Sequence, residues 1–112
     1  RVIGSAPGII SLVEGQITYF GPNDGGTIAT ADITGVSLVT HADMRSWRLD
    51  QNGQASLIIP ITASGGDLLF DAFAELKGLN LENMVRQISQ ESNHSAVIWR
   101  SNDYGRNDRY LH

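Results

Sequence analysis

The sequence predicts an α+β domain in which short antiparallel strands precede two helices and a last strand. Three observations predict this class. Apolar and polar residues alternate in several short segments before residue 62, turn-forming residues separate those segments, and the apolar spacing changes to a helical period after Ser64. We expect about six strands, followed by an amphipathic helix that packs on them.

The composition is that of one globular domain of ordinary size. The chain has 112 residues, of which 41% are hydrophobic and 18% are charged, and its net charge is −4. It contains no cysteine, so disulfides and thiolate metal sites are excluded. The acidic balance weighs against nucleic acid or an anionic membrane as the main partner, because both attract clustered basic residues. No cofactor-binding motif is present, and we predict no cofactor.

We assign residues 1–8 to a flexible lead-in or linker, residues 9–100 to a single domain and residues 101–112 to a disordered polar tail. The lead-in lacks hydrophobic periodicity, and the tail has few apolar residues. No stretch approaches the roughly 20 apolar residues that span a bilayer. The chain begins with Arg1 and not Met, which indicates either processing or a piece of a longer protein.

The first hairpin is predicted around residues 14–15, where a Glu-Gly turn separates two alternating segments. A two-residue turn places Leu12 opposite Ile17 and Ile10 opposite Tyr19, so the apolar residues agree in register. Its strands cover residues 9–13 and 16–20, and two further strands are expected at residues 27–30 and 32–41.

The second hairpin is predicted around the Asn-Gly pair within residues 51–53, because these residue types accept the positive φ of tight turns. A two-residue loop would mix apolar and polar partners on one face. We therefore expect a three-residue loop with a G1 bulge, which pairs Leu49 with Ala55 and Trp47 with Leu57.

Two helices and a last strand are predicted after the hairpins. Ser64 and Asp67 have the spacing of a capping box, and Gly78 is placed to end the first helix. The second helix is expected to begin after Asn80 as N-cap, and the last strand covers residues 96–100. The apolar stripes of the two helices comprise Leu68, Leu69, Ala72, Phe73 and Leu76, and then Leu81, Met84, Val85 and Ile88.

Three segments carry a resemblance to a known group of proteins: Gly-Gln-Ile-Thr-Tyr-Phe-Gly-Pro at residues 15–22, Ser-Trp-Arg-Leu at 46–49 and Phe-Asp-Ala-Phe at 70–73. With six strands before a helix, they resemble the pleckstrin-homology-like (PH-like) domain of uncharacterised small bacterial membrane-associated proteins. The resemblance implies a strongly bent antiparallel sheet or small open barrel packed by a helix. It also implies a cytoplasmic domain at a membrane, tethered by a segment preceding Arg1.

The same resemblance bears on lipid binding. Lipid-binding PH domains use basic residues around the first hairpin loop, whereas this loop carries Glu14 and has no Lys or Arg nearby. We therefore do not expect binding to phosphoinositides or anionic lipids.

His41 and Asp43 form the one pair that suggests reactive chemistry. An imidazole beside a carboxylate can hold a metal ion or act as a base with its orienting group. The alternative interpretation is a surface turn, where Asp side chains bond to nearby backbone. A small enzyme or metal-binding domain that uses this pair is our second hypothesis. The leading hypothesis assigns no catalytic residue and no metal ligand.

Trp99, Arg100 and Tyr104 are the candidate partner-binding residues. Interfaces are enriched in these residue types, and all three lie on or just after the last predicted strand. A core position for Trp99 is the alternative interpretation. The leading hypothesis is a non-enzymatic interaction or scaffolding domain that binds a protein or peptide, or a second copy of itself, through strand edges.

Overall fold

Two antiparallel sheets and two helices make up the part of the chain that the computed structural model describes, which comprises residues 8–22, 24–41, 43–90 and 95–105. The α+β class is confirmed. The strands of these residues form one sheet of three and one of four, and neither closes into a barrel. In chain order, the elements are β1 (Ile9–Val13), β2 (Gln16–Phe20), β3 (Gly25–Ala29), β4 (Gly35–His41), β5 (Met44–Gln51), β6 (Gln54–Pro60), α1 (Gly66–Phe73), α2 (Leu81–Ser89) and β7 (Ala96–Arg100).

The predicted order of six strands, two helices and a last strand is confirmed, with shifts at two boundaries. β3 begins two residues before the predicted position. β4 begins at Gly35 and not at residue 32, because Thr30–Asp32 form a 3-10 turn between the two strands.

The sheets have the strand orders β1-β2-β3 and β6-β5-β4-β7. β7 therefore returns after both helices to pair antiparallel with β4. Buried side chains from both sheets and both helices form one core, which includes Ile17, Leu38, Leu49, Ile59, Phe73 and Met84. Trp47 and Phe73 join the four-stranded sheet to α1 through an edge-to-face contact with ring centroids 5.3 Å apart.

The predicted register of the first hairpin is confirmed. Leu12 pairs with Ile17, and Ile10 pairs with Tyr19. Ile10, Ile17 and Tyr19 are buried, so the face that the alternation marked as apolar is the face that packs on the core.

The predicted register of the second hairpin is wrong. Leu49 pairs with Leu57 and Trp47 with Ile59, and the strands meet again at Gln51 and Gln54 after a register shift. Two residues of β6 thus oppose one residue of β5 near the turn, which is a β-bulge. Because of the bulge, Trp47 and Leu49 both face large apolar residues of β6. The predicted register would have placed Ala55 opposite Leu49.

α1 differs from the sequence prediction at both ends. No side chain caps its first turn, because Ser64 uses its backbone to bond to β1 and Gly65 is the N-cap with φ +91°. A Cβ at Gly65 would lie 2.8 Å from the Ile10 carbonyl oxygen, so the close approach of β1 requires glycine there. After Phe73 the chain continues in three-residue turns, and these still bring Leu76 into the core.

α2 begins as predicted. The Asn80 side chain accepts a hydrogen bond from the Asn83 backbone N–H at 2.9 Å, so it acts as the N-cap. Met84 is fully buried, whereas Val85 is 49% exposed, so the apolar stripe meets the core along one edge only. No helix in the described residues has the length and hydrophobicity needed to cross a bilayer.

Candidate binding cleft

A cleft of about 610 Å³ lies where the first hairpin, the connection between the sheets, the end of α1 and the start of the C-terminal segment meet. Its walls are formed by residues 14–16, 29–31, 33–34 and 75–77, together with Trp99, Ser101 and Asp103. Four separate parts of the sequence therefore supply the surface that we call the cleft.

Hydrogen bonds fix the wall formed by the first hairpin. Glu14 and Gly15 have φ values of +51° and +77°, which are those of a type I′ turn. The Gly15 carbonyl accepts a hydrogen bond from the Thr30 backbone N–H at 2.8 Å. The turn therefore holds the 3-10 segment in place, and Glu14 projects from the rim of the cleft in a backbone conformation that glutamate rarely adopts.

Thr34 lines the cleft and joins three segments of the chain through its backbone. Its backbone N–H donates to the Asp50 carbonyl at 2.8 Å, and its carbonyl accepts from the Ser101 N–H at 2.9 Å. Thr34 is 9% exposed, and its hydroxyl has no hydrogen-bond partner among the described residues. A buried polar group without a partner costs about 1–3 kcal/mol, so this hydroxyl lowers the stability of the fold.

Trp99 forms the apolar wall with Ile33 and Leu76. Its indole Nε1 donates to the Lys77 carbonyl at 2.8 Å, which fixes the ring against the end of α1. A register shift in the pairing of β4 with β7 precedes it, between Val36 and Ser37. Both Ile98 and Trp99 pack on the core, although Trp99 remains partly exposed.

The charged residues of the cleft are mostly acidic. Glu14, Glu75 and Asp103 lie in its walls together with Lys77. An adjoining depression of about 400 Å³ shares Thr34 and Asp103 with the cleft and adds Asp32. The described residues that line the two concavities carry four carboxylates and one ammonium group, an excess of negative charge that favours cations.

The predicted partner-binding residues separate onto the two faces of the four-stranded sheet. Trp99 faces the cleft, whereas Arg100 pairs with Gly35 and stacks over the Tyr104 ring, with its guanidinium carbon 4.1 Å from the ring centroid. A Cβ at Gly35 would lie 2.9 Å from Tyr104 Cε1, so the tyrosine ring packs directly on the sheet. Arg100 and Tyr104 contact each other as a pair, and their role in binding stays a prediction.

Residues 101–105, the first part of the predicted tail, form a hydrogen-bonded turn. The Tyr104 N–H donates to the Ser101 carbonyl at 3.1 Å. The Asn52 side chain donates to the Asp103 carbonyl at 2.7 Å and accepts from the Gly105 N–H at 3.2 Å. The second hairpin thus holds this segment beside the cleft, while residues 106–112 lie outside the described residues.

His41 is the last residue of β4 and Asp43 lies on the turn before β5, and both are exposed. His41 pairs with Met44, and Asp43 has φ +65°. The described residues contain no group of three His, Asp or Glu side chains placed to hold a metal ion. His94 and His112 are outside the described residues. The turn by itself offers a metal two ligands, fewer than the three or four protein ligands of typical zinc sites.

A polar cluster of Arg48, Asp50 and Ser56 lies on the other face of the sheet from Trp47 and Leu49. Asp50 Oδ1 accepts hydrogen bonds from Arg48 Nε at 2.9 Å and from Ser56 Oγ at 2.5 Å. Asp50 is 8% exposed, so its charge is largely removed from water and compensated by these donors. The cluster lies beside the bulge of β6, which indicates a structural role.

Sequence reasoning missed Thr34, Glu75 and Lys77 as members of one surface. Their positions in the sequence carry no shared motif, since they come from a connection and a helix end that only the fold brings together. Trp99 was identified from its residue type and its place on the last strand.

No protein-family model, no curated protein and no solved structure matches this chain.

Proposed function

We propose that this domain is a non-enzymatic interaction module that binds an extended segment of a protein or peptide beside β7, with side chains of that segment entering the cleft. The observation that carries the proposal is Trp99, which is partly exposed in the cleft while its indole N–H is already hydrogen bonded. A tryptophan held rigid in a concave surface is typical of the residues that dominate binding energy at interfaces.

The edge of β7 supports the same proposal. β7 ends the order β6-β5-β4-β7, and in the described residues no strand pairs with its other side. The Ser101 N–H donates a hydrogen bond to the carbonyl of Thr34, the residue just before β4. Because backbone groups alternate in direction along an antiparallel strand, the N–H and C=O of Arg100 point away from β4. Such an edge can accept the backbone of an added strand.

The other sheet edges are less available. The β1 edge is bridged by Ser64, whose carbonyl accepts from the Ile10 N–H at 2.8 Å. β3 and β6 approach each other, since a Cβ at Gly26 would lie 3.0 Å from Leu57 Cδ1. β6 also ends at Pro60, which has no N–H to donate.

A peptide selection tests this proposal. A library of random twelve-residue peptides displayed on phage is selected against the immobilised 112-residue chain, and the enriched peptides are synthesised. We expect saturable binding to the wild-type domain, with at least tenfold weaker binding to Trp99→Ala. Val97→Ala is the matched control, because Val97 lies on the same strand, is 52% exposed and faces away from the cleft.

Circular dichroism separates loss of binding from loss of folding. Trp99→Ala should keep the far-ultraviolet spectrum of the wild type and the near-ultraviolet signal of the buried Trp47. If no peptide is enriched, or if enriched peptides bind folded Trp99→Ala as tightly as the wild type, the cleft is not the binding surface and the proposal fails.

The proposal extends to a PH-like fold and a place at a bacterial membrane. Six strands followed by a helix support a PH-like fold, while β7 is an addition to that pattern. Fractionation of cells that express the full-length native protein, with a high-salt alkaline wash, tests the location. Retention of this domain in the washed membrane pellet is the expected result, and recovery in the soluble fraction would contradict it.

A further inference from the structure

We infer that the segment bound in the cleft is basic, and that an arginine side chain of the partner enters between the acidic rim and Trp99. This inference rests on the proposed function and adds the chemistry of the partner. It combines two features of the described residues: carboxylates among the residues that line the cleft, and the indole of Trp99, which a hydrogen bond fixes in one wall.

Charge complementarity gives the sign of the partner. Glu14 and Glu75 both line the cleft, one on the first hairpin and one after α1, and both are exposed. Asp103 and Asp32 extend the acidic surface toward the second hairpin, and Lys77 is the single basic residue among those that line the two concavities. An acidic segment would be repelled here, whereas a basic one gains from each carboxylate.

Trp99 favours arginine over lysine. A guanidinium is planar, stacks on an aromatic ring and keeps several N–H donors for oxygen acceptors at its edge. The cleft supplies an indole in one wall and carboxylate oxygens in the others. A compact ammonium group would use the acidic rim but would match the ring less well.

The test uses three heptapeptides blocked at both ends, in which alanine alternates with arginine, with citrulline or with glutamate. Citrulline keeps the shape of arginine and removes its charge. Binding to the ¹⁵N-labelled 112-residue chain is followed by NMR at the Trp99 indole N–H. We expect the arginine peptide to bind at least fivefold more tightly than the citrulline peptide, to weaken as salt is raised from 50 to 500 mM, and the glutamate peptide not to bind.

Substitutions test whether the carboxylates of the cleft cause the preference for the arginine peptide. The double variant Glu14→Gln/Glu75→Gln should bind the arginine peptide roughly fivefold more weakly, since exposed ion pairs contribute modestly. The matched control is Asp71→Asn/Glu82→Gln, which removes the same charge from exposed helix positions that do not line the cleft.

Failure of the inference and failure of the proposed function give different results. Equal binding of the arginine and citrulline peptides, or equal effects of the two double variants, would overturn the inference. If the phage library then yields neutral or acidic peptides that depend on Trp99, the proposed function stands without it. If no peptide of any charge depends on Trp99, both fail.

Discussion

The two hairpins, around the Glu14-Gly15 and Asn52-Gly53 turns, differ in how their turn residues relate to the register of their strands. In the first hairpin, Glu14 adopts φ +51°, a backbone conformation that glutamate disfavours. The register of this hairpin nevertheless follows the alternation of apolar residues. The second has favourable turn residues, and its register shifts by a bulge within three residues of the turn. Cross-strand side-chain pairing, and not turn preference, sets the register in both hairpins.

The hairpins also differ in what lies on their outer faces. Thr18 of the first hairpin forms an exposed hydroxyl pair, at 3.1 Å, with Thr27 of the adjacent strand β3. In the second, the buried carboxylate of Asp50 bonds to Arg48 and Ser56 beside the bulge. The irregular hairpin therefore has a buried, hydrogen-bonded carboxylate beside its bulge.

The largest contrast is expected from the same substitution in the two hairpins. Leu49→Ala removes a side chain that is fully buried opposite Leu57, so the free energy of unfolding should fall by about 2–5 kcal/mol. Leu12→Ala is the matched change in the first hairpin, where the leucine is only partly buried, and its effect should be clearly smaller. Urea unfolding measures both, and equal losses would contradict the assignment of Leu49 to the centre of the core.

A second contrast concerns the polar contacts. Asp50→Asn removes a carboxylate that accepts hydrogen bonds from Arg48 and Ser56, so we expect a loss of about 1–3 kcal/mol. Thr18→Val removes the exposed hydroxyl pair and should change stability by less than about 0.5 kcal/mol. Thermal unfolding of the two variants compares them directly, and a harmless Asp50→Asn would show that the cluster does not hold the bulge.

A third change improves the poor turn. Glu14→Asn places a residue that tolerates left-handed backbone at a position with φ +51°, so stability should rise by about 0.5–1 kcal/mol. Glu14→Gln is the control, because it removes the charge and keeps the conformational cost. Chemical unfolding of both variants separates the two causes, and an equal gain from Glu14→Gln would assign the cost to charge.

The smallest expected effect is on the free energy of unfolding at alkaline pH. Burial of Tyr19 in the first hairpin raises the pKa of its phenol above the ordinary value, and the carboxylate of Asp24 adds to the effect. The folded state therefore holds this proton more tightly than the unfolded chain. The resulting stabilisation is complete below about pH 10 and is lost as the pH rises further.

Urea unfolding of the wild type and Tyr19→Phe from pH 8 to 11 measures this effect. Above about pH 10, the free energy of unfolding should fall more steeply for the wild type. Only the slopes are compared, so any change in stability at neutral pH does not affect the result. Parallel slopes would show that Tyr19 ionises equally well in the folded and unfolded states.

The sequence by itself determined the order of the elements, the first hairpin register and the N-cap of α2. These features depend on local patterns: alternation along β1 and β2, and the Asn80 side chain bonding three residues ahead. Such interactions are between residues close in the chain, so their spacing is visible in one sequence. The residue type and strand position of Trp99 were likewise enough to select it for the candidate site.

Tertiary structure decided the bulge of β6, the start of α1 and the composition of the cleft. Large partners across the sheet determined which residue faces Leu49, and the approach of β1 required Gly65 at the helix start. The cleft depends on long-range hydrogen bonds, such as Thr30 to Gly15 and Ser101 to Thr34, between segments that share no sequence pattern. Contacts of this kind form only when distant segments pack together, so no local sequence pattern predicts them.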